Sequence, residues 1–425
     1  MLAERRVLLV SYFFPPLGGG GMLRALKLAK YLPAAGWEPE VLAADDPRYH
    51  LRDEAALGEA DCWVHRAPAR RYPSAARLLG VGGGTGSTSR SRRGSGWRGR
   101  LRTFLARLGE LPDQQVGWSR AARAKALNLA RQGRFSTVWT TSPPHSVHFV
   151  GLVAKRETGV KWVADLRDSW SLNPFFEPAT PLHRVLARRW ERLVVAEADA
   201  LVCATPRMGE LYRRIFPAAA RKIRVITNGY DEADFAGLDG LPPRAGAVIG
   251  HAGTFYGARR PDAFLAALEK VSDERPEADL RFIEIGTSGL EAEGALQGFL
   301  RRRPDLLTRL GNLPHRRALA ELARCRFTLL VVGNQPGAET VLTGKLFEYL
   351  RLGRPILACC PPGDAADLVR SLGAGPIADP DGPGEIAAAL RRLLDEPPPP
   401  PDRGRVEAYE RSRLAAETAA LFESL

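Results

Sequence analysis

Short runs of β-branched and apolar residues alternate with helical patterns along almost the whole chain, which predicts parallel sheets covered by helices. The first run, Val7–Phe13, leads into four glycines, Gly18–Gly21. A helical stretch follows from Met22 to about Leu32, with Met22, Leu26 and Ala29 on one face. Gly36 ends it, and Pro39–Ala43 reads as the next strand. Cys62–His65, Thr137–Thr141, Lys161–Asp165, Leu201–Ala204 and Ile223–Thr227 continue this series. Ala247–Gly253, Leu280–Gly286, Thr308–Leu313, Phe327–Val332 and Pro355–Cys359 form a second. Between the two lie Asn228-Gly229-Tyr230 and Leu241-Pro242-Pro243-Arg244-Ala245-Gly246, where turn residues and stiff prolines predict a hinge. The expectation is an α/β protein of two doubly wound domains facing each other across a cleft: 1–235, a linker at 236–246, and 247–396.

Two segments break the alternation. Arg66 to Arg107 contains 11 Arg, no Lys and no acid, around a Gly/Ser-rich centre at Val81–Gly96, and reads as a partly disordered insertion. Pro397–Pro401 is a polyproline spacer. After it, Val406, Tyr409, Leu414, Leu421 and Leu425 mark a terminal helix, so 397–425 forms a closing unit.

Charge sharpens this picture. Net charge is 61 − 48 = +13 over 425 residues, and removing the 11 arginines of the insertion leaves only +2. The insertion therefore carries most of the imbalance, and an anionic membrane surface is its expected partner. At 45% apolar residues the chain can bury true cores, which excludes a disordered or fibrous protein. Cys62, Cys203, Cys325, Cys359 and Cys360 show neither CxxC nor finger spacing, so a disulfide framework or zinc module is not expected and a reducing cytoplasm fits. No apolar run approaches the ~18 residues that span a bilayer.

Candidate chemistry lies in loops that follow strands, where doubly wound sheets bind ligands. Gly18–Gly21, with Gly19 and Gly20 at its centre, is either a phosphate cradle or a tight turn. In Thr141-Ser142-Pro143-Pro144-His145-Ser146-Val147-His148, Ser142 suits an N-cap and Pro143 a first helical turn. That would hold His145 at a helix start, as a substrate contact or a structural histidine. His145 and His148 are three apart, but no third ligand with metal spacing accompanies them. In Asp165-Leu166-Arg167-Asp168-Ser169-Trp170 two carboxylates and a guanidinium either meet sugar hydroxyls or orient a base, or stiffen their own loop. His251-Ala252-Gly253-Thr254-Phe255-Tyr256-Gly257-Ala258-Arg259-Arg260-Pro261 places Arg259 and Arg260 at a helix start. There they serve a diphosphate or form a solvated pair.

The most informative stretch is Thr343-Gly344-Lys345-Leu346-Phe347-Glu348-Tyr349-Leu350-Arg351-Leu352-Gly353. Thr343 and Gly344 open a helix toward an anion, and Lys345 stands in its first turn. Glu348 follows one turn on, where a carboxylate can accept both ribose hydroxyls, and Gly353 caps the end. Phosphate and ribose recognition on one short helix describes a nucleotide site.

These segments, read in order as SYFFPPLGGGG, TSPPHS, VADLRDSW, ITNGYDEADF, HAGTFYGARRP and TGKLFEYLRLGRPIL, resemble the retaining group 1 (family 4) glycosyltransferases of the GT-B fold. The resemblance is to the branch that assembles polysaccharides, and it spans nearly the whole chain. It implies a nucleotide-diphosphate-sugar donor held by the C-terminal Rossmann-like domain and a saccharide or lipid-linked acceptor gripped by the N-terminal one. It also implies a last helix crossing back to the N-terminal domain, and no metal or other cofactor. By motif, Glu348 would hold ribose, and His145 would touch the donor sugar near its reacting carbon. The first Glu of the family's E-x7-E element would fall at Thr340, with Glu339 beside it. Thr254 stands where many relatives carry Arg, which leaves the diphosphate to Arg259 and Arg260. Asp379-Pro380-Asp381 reads as a turn rather than a metal motif. The resemblance favours transfer with retention, in which the departing phosphate accepts the acceptor's proton. Alternatives are a GT-B nucleotide-sugar epimerase, an NAD-dependent oxidoreductase using Gly18–Gly21 with Asp45 or Asp46, and an Arg-rich membrane or RNA scaffold. Nucleic acid is not an expected partner.

Overall fold

The computed structural model describes residues 5–69, 111–173 and 180–425. Val81–Gly96 and all but the first four residues of the Arg66–Arg107 segment lie outside the described residues. Seven strands form the first sheet: β1 (Arg6–Ser11), β2 (Glu38–Asp45), β3 (Trp63–Pro68), β4 (Thr137–Ser142), β5 (Lys161–Leu166), β6 (Ala200–Cys203) and β7 (Ile223–Val225). Their order is β3-β2-β1-β4-β5-β6-β7, with every pairing parallel. The second sheet holds β8 (Ala247–Ala252), β9 (Leu280–Ile285), β10 (Leu307–Gly311), β11 (Phe327–Val331), β12 (Ile356–Cys359) and β13 (Ile377–Ala378). It is ordered β10-β9-β8-β11-β12-β13, again all parallel.

Burial on both faces explains why these strands read as near-continuous apolar runs. In β1 the alternation splits Leu8 and Val10 into one core and Val7 and Leu9 into the other. In the second sheet Leu330 and Ile356 face one core, and Leu329, Val331 and Leu357 the other. Helices seal both sides. Thr205, for example, accepts from the Met208 N–H and so caps Pro206–Ile215.

Contacts divide the chain into Met1–Thr227 with Leu414–Leu425, and Asn228–Arg413. The linker expected at 236–246 and the boundary at 235 are thereby corrected. Tyr230 and Phe235 are buried in the second core, and the Arg244 N–H donates to the Arg324 carbonyl at 2.8 Å. Those residues pack as part of the second unit. After Pro397–Pro401 come Arg403–Val406 and the helix Arg411–Glu423. Leu414, Ala415, Ala419, Leu421 and Phe422 join the core of the first sheet, with the Phe422 ring 5.0 Å from that of Trp37. Asp379-Pro380-Asp381 is a turn, since the Asp379 carboxylate accepts from the Asp381 N–H at 2.8 Å. No helix among the described residues is long and apolar enough to cross a membrane.

Candidate active site

In each sheet the strand order reverses at one place, between β1 and β4 and between β8 and β11. The carboxyl ends of strands at such a reversal leave a crevice for ligands. The loops singled out from sequence follow these strands or their neighbour β5.

In the first unit, Asp165 is engaged by residues from other segments. Its carboxylate is fully buried and receives two charged hydrogen bonds from Arg24, at 2.7 and 2.9 Å, and a third from the Thr141 hydroxyl. Arg24 lies on the helix Leu23–Tyr31 and also donates to the Ile226 and Thr227 carbonyls, each at 2.8 Å. The pair fixes strand ends and occupies the carboxylate that the sequence offered for catalysis. Arg167 is likewise occupied. It donates to the carbonyls of Ser142 and Pro143 at 2.8 Å each and to that of Gly21, which ties the loops after β1, β4 and β5 together. Asp168 is exposed, and its charge helps Arg167 keep its proton against burial.

His145 opens the turn His145–Val147, ahead of the helix His148–Thr158. The expected cap does not form: Ser142 is the last residue of β4, and Pro144 flanks the turn with an extended backbone. Asp113 performs that task instead. Its buried carboxylate accepts from the Ser146 N–H and hydroxyl, both at 2.7 Å, and from the Gln115 N–H. Burial nonetheless pushes its carboxyl above the usual range. The His145 ring stacks on Trp170, with centroids 4.9 Å apart and planes 7° from parallel. Burial first, then Arg167, lowers its pKa to about 3, so the imidazole is neutral at pH 7. His145 Nδ1 makes no hydrogen bond among the described residues. His148 is a core residue whose Nδ1 meets the Thr140 hydroxyl at 2.9 Å. Gly19 and Gly20 are exposed, ahead of a helix start with no side-chain cap.

The second unit gathers cations around the start of the helix Gly344–Leu352. Gly253 follows β8 with φ +136, and a Cβ there would collide with Lys345 Nζ, so the glycine makes room for the ammonium. His251 Nδ1 donates to the Leu329 carbonyl at 2.9 Å, which leaves Nε2 as an acceptor 3.4 Å from Lys345 Nζ. Burial first, then the Arg259 charge, lowers the Lys345 pKa to about 8, with Glu348 opposing the shift. Arg259 lies over the Tyr256 ring at 5.0 Å and donates to its hydroxyl at 2.9 Å. Thr343 precedes the helix without capping it, and its buried hydroxyl has no hydrogen-bond partner among the described residues. Two neighbouring cations, an unpartnered hydroxyl and an uncapped helix start form a ready anion cradle.

The remaining donor residues divide. Glu348 lies one turn beyond Lys345 and accepts from His315 Nε2 at 2.9 Å. Gly344 is partly open, and an added Cβ would meet nothing. Arg260 is engaged by acids, pairing with Asp262 and Glu291 at 2.9 Å each. The Leu346 side chain is buried in the core and leaves only its backbone for a ligand. Thr254 is exposed, with its hydroxyl 3.4 Å from that of Thr287. Glu339 is exposed in the turn Ala338–Thr340, where the Thr340 hydroxyl donates to the Gly337 carbonyl at 2.9 Å. Asp46, weighed for a dinucleotide ribose, is buried and accepts from the Tyr12 hydroxyl at 2.7 Å.

Residues 19–229 match the family model described as glycosyl transferase 4-like domain. No curated protein matches the chain by sequence. Among solved structures, a sucrose-phosphate synthase from Thermosynechococcus elongatus is 18% identical with a TM-score of 0.60, over 98% of this chain and 95% of that one. The lipopolysaccharide outer core galactosyltransferase WaaB is 14% identical at 0.59, covering 99% and 100%. UDP-GlcNAc 2-epimerase from Methanocaldococcus jannaschii is 9% identical at 0.58, covering 99% and 100%. At such identities the likeness concerns the fold, and that fold is GT-B, as the motifs implied. The chain thus has the GT-B fold, and residues 19–229, just under half of it, carry the likeness to the glycosyl transferase 4-like domain.

Proposed function

We propose that the protein is a glycosyltransferase that moves a sugar from a nucleotide-diphosphate donor to a saccharide or lipid-linked acceptor, in the assembly of a cell-surface polysaccharide. One observation carries the reading: Lys345, which feels the Arg259 charge, and the unpartnered Thr343 hydroxyl stand at the uncapped start of Gly344–Leu352, after the β8/β11 reversal. A diphosphate supplies the negative charge this cradle lacks, and Glu348 on the next turn suits the ribose. Basic groups that stabilise a leaving diphosphate make a metal ion unnecessary.

Chemically, the anomeric C–O bond to the diphosphate breaks and a glycosidic C–O bond forms on the same face. The acceptor's proton passes to the departing phosphate oxygen. The chain needs no carboxylate nucleophile on this course, in keeping with an Asp165 fully engaged by Arg24. The neutral His145 ring is the first unit's candidate for hydrogen-bonding a sugar hydroxyl. An epimerase would need paired acid and base groups, and the bound state of Asp165 counts against it. The test is incubation with UDP-, GDP- and dTDP-sugars, with and without saccharide acceptors. A product formed only when acceptor is present supports the reading, and conversion of the donor sugar alone contradicts it.

A further inference from the structure

The helix Pro181–Glu197 carries two opposite stripes. Inward, His183, Ala187, Glu191, Val194 and Val195 are buried. There Glu191 accepts hydrogen bonds from Ser171 and Tyr212, and Tyr212 in turn holds the Trp170 N–H. Outward, Leu182, Val185, Arg189, Arg192 and Ala196 recur at intervals of three and four residues, all exposed, with Arg188 alongside. Leu182 is 63% exposed and Val185 61%, so two aliphatic side chains stand bare on the first two turns.

The charge on this face is uncompensated. Arg188, Arg189 and Arg192 form no hydrogen bond or ion pair among the described residues. The helix's two carboxylates do not serve them: Glu191 faces inward, and Glu197 is held by Arg156 at 2.6 Å. A solvated basic helix would ordinarily display polar residues on its first turn as well. Here a leucine and a valine are exposed beside the arginines.

We infer that the outer face of Pro181–Glu197 docks on an anionic lipid surface, with Leu182 and Val185 entering the headgroup–acyl boundary and Arg188, Arg189 and Arg192 holding lipid phosphates. Nucleic acid would satisfy the arginines yet leave both aliphatic side chains in water, whereas a lipid surface rewards both. Arginine stems lie along apolar surface while their guanidinium groups stay with phosphates. The inner stripe of the same helix steadies the segment bearing Trp170, the stacking partner of His145. The docked face thus lies about one helix diameter, ~10 Å, from that segment. The inference is independent of the proposed activity, and it names a basic surface separate from the Arg66–Arg107 segment.

The test is sedimentation of the full chain with phosphatidylcholine vesicles, with or without phosphatidylglycerol, at low and high salt. The wild type binds the anionic vesicles more tightly, and high salt weakens the binding. Arg188→Gln/Arg189→Gln/Arg192→Gln lowers affinity on the order of 100-fold, at roughly fivefold per arginine near such a surface. Leu182→Ser/Val185→Ser lowers vesicle binding about tenfold and leaves heparin binding unchanged. Because all five positions are exposed, the variants keep the wild-type melting temperature. Equal binding to neutral and anionic vesicles overturns the inference. So does an unaffected triple-arginine variant, with binding lost only on neutralising Arg90, Arg92 and Arg93. Unchanged vesicle binding by Leu182→Ser/Val185→Ser also overturns it, leaving a simple polyanion face.

Discussion

Nucleotide binding should carry the signature of one lysine. Lys345 titrates at about 8 because burial and the neighbouring Arg259 disfavour its charge more than Glu348 favours it. A bound diphosphate adds the missing counter-charge and restores a lysine's ordinary pKa, so above pH 8 binding takes up a proton. The sign follows: affinity is full below the ligand-free pKa and falls as pH rises through it. Between pH 7 and 9 the charged fraction of free Lys345 drops from ~0.9 to ~0.1, a loss of about tenfold in affinity or ~1.4 kcal/mol. Calorimetric titration of UDP, GDP or dTDP across that range, in buffers of different ionisation heat, measures both the slope and the proton uptake. Lys345→Ala should bind more weakly at pH 7 and lose the slope. The variant meets the same titrating nucleotide, so the difference isolates the lysine. A flat wild-type profile, or an equal slope in Lys345→Ala, would refute the reasoning.

Further outcomes follow from single side chains. Glu348→Ala should weaken nucleotide binding by ~1.5–3 kcal/mol with little change in melting temperature, as read by calorimetry and thermal scanning. Asp113→Ala strands the Ser146 N–H and hydroxyl, and should cost ~1–3 kcal/mol of stability in denaturant unfolding while lowering kcat through a displaced His145. Arg260→Gln should leave nucleotide affinity within error, because its partners are Asp262 and Glu291. Turnover should survive EDTA, and restoration of a lost activity by Mg²⁺ or Mn²⁺ would contradict the metal-free account. NMR of the first-formed product should show the donor's anomeric configuration retained.

Strands were legible because burial on both faces leaves little polar punctuation inside them. Among the described residues twelve of the thirteen strands are legible to within a few residues, and the exception, Ile377–Ala378, is too short for any period to register. The helix from Gly344 was legible for a local reason, a Thr-Gly start and a Gly353 end with φ +67. Side-chain partners were not legible where they are distant in sequence. Asp165 reads as a carboxylate in a strand-end loop until Arg24, 141 residues earlier, occupies it. Arg167 looked like a substrate group, but carbonyls from two other loops consume its donors. Ser142 satisfied every local rule for a cap, yet β4 extends through it and Asp113 caps from another segment. Arg260 was paired with Arg259 by adjacency, whereas successive side chains diverge and acids nearby claim one of them. Asp113 preceded a helical run and gave no sign of His145.

The account rests on the cradle formed by Lys345, Arg259 and Thr343, and nucleoside diphosphate titration tests it most directly. Wild-type protein and Lys345→Ala/Arg259→Ala are titrated at pH 7 with UDP, GDP and dTDP. The account predicts that the wild type binds at least one of them, and that the double variant loses on the order of 100-fold, as expected when two charged hydrogen bonds of ~1.5 kcal/mol each are removed. Failure of all three to bind the wild type, or equal binding by the variant, would contradict it.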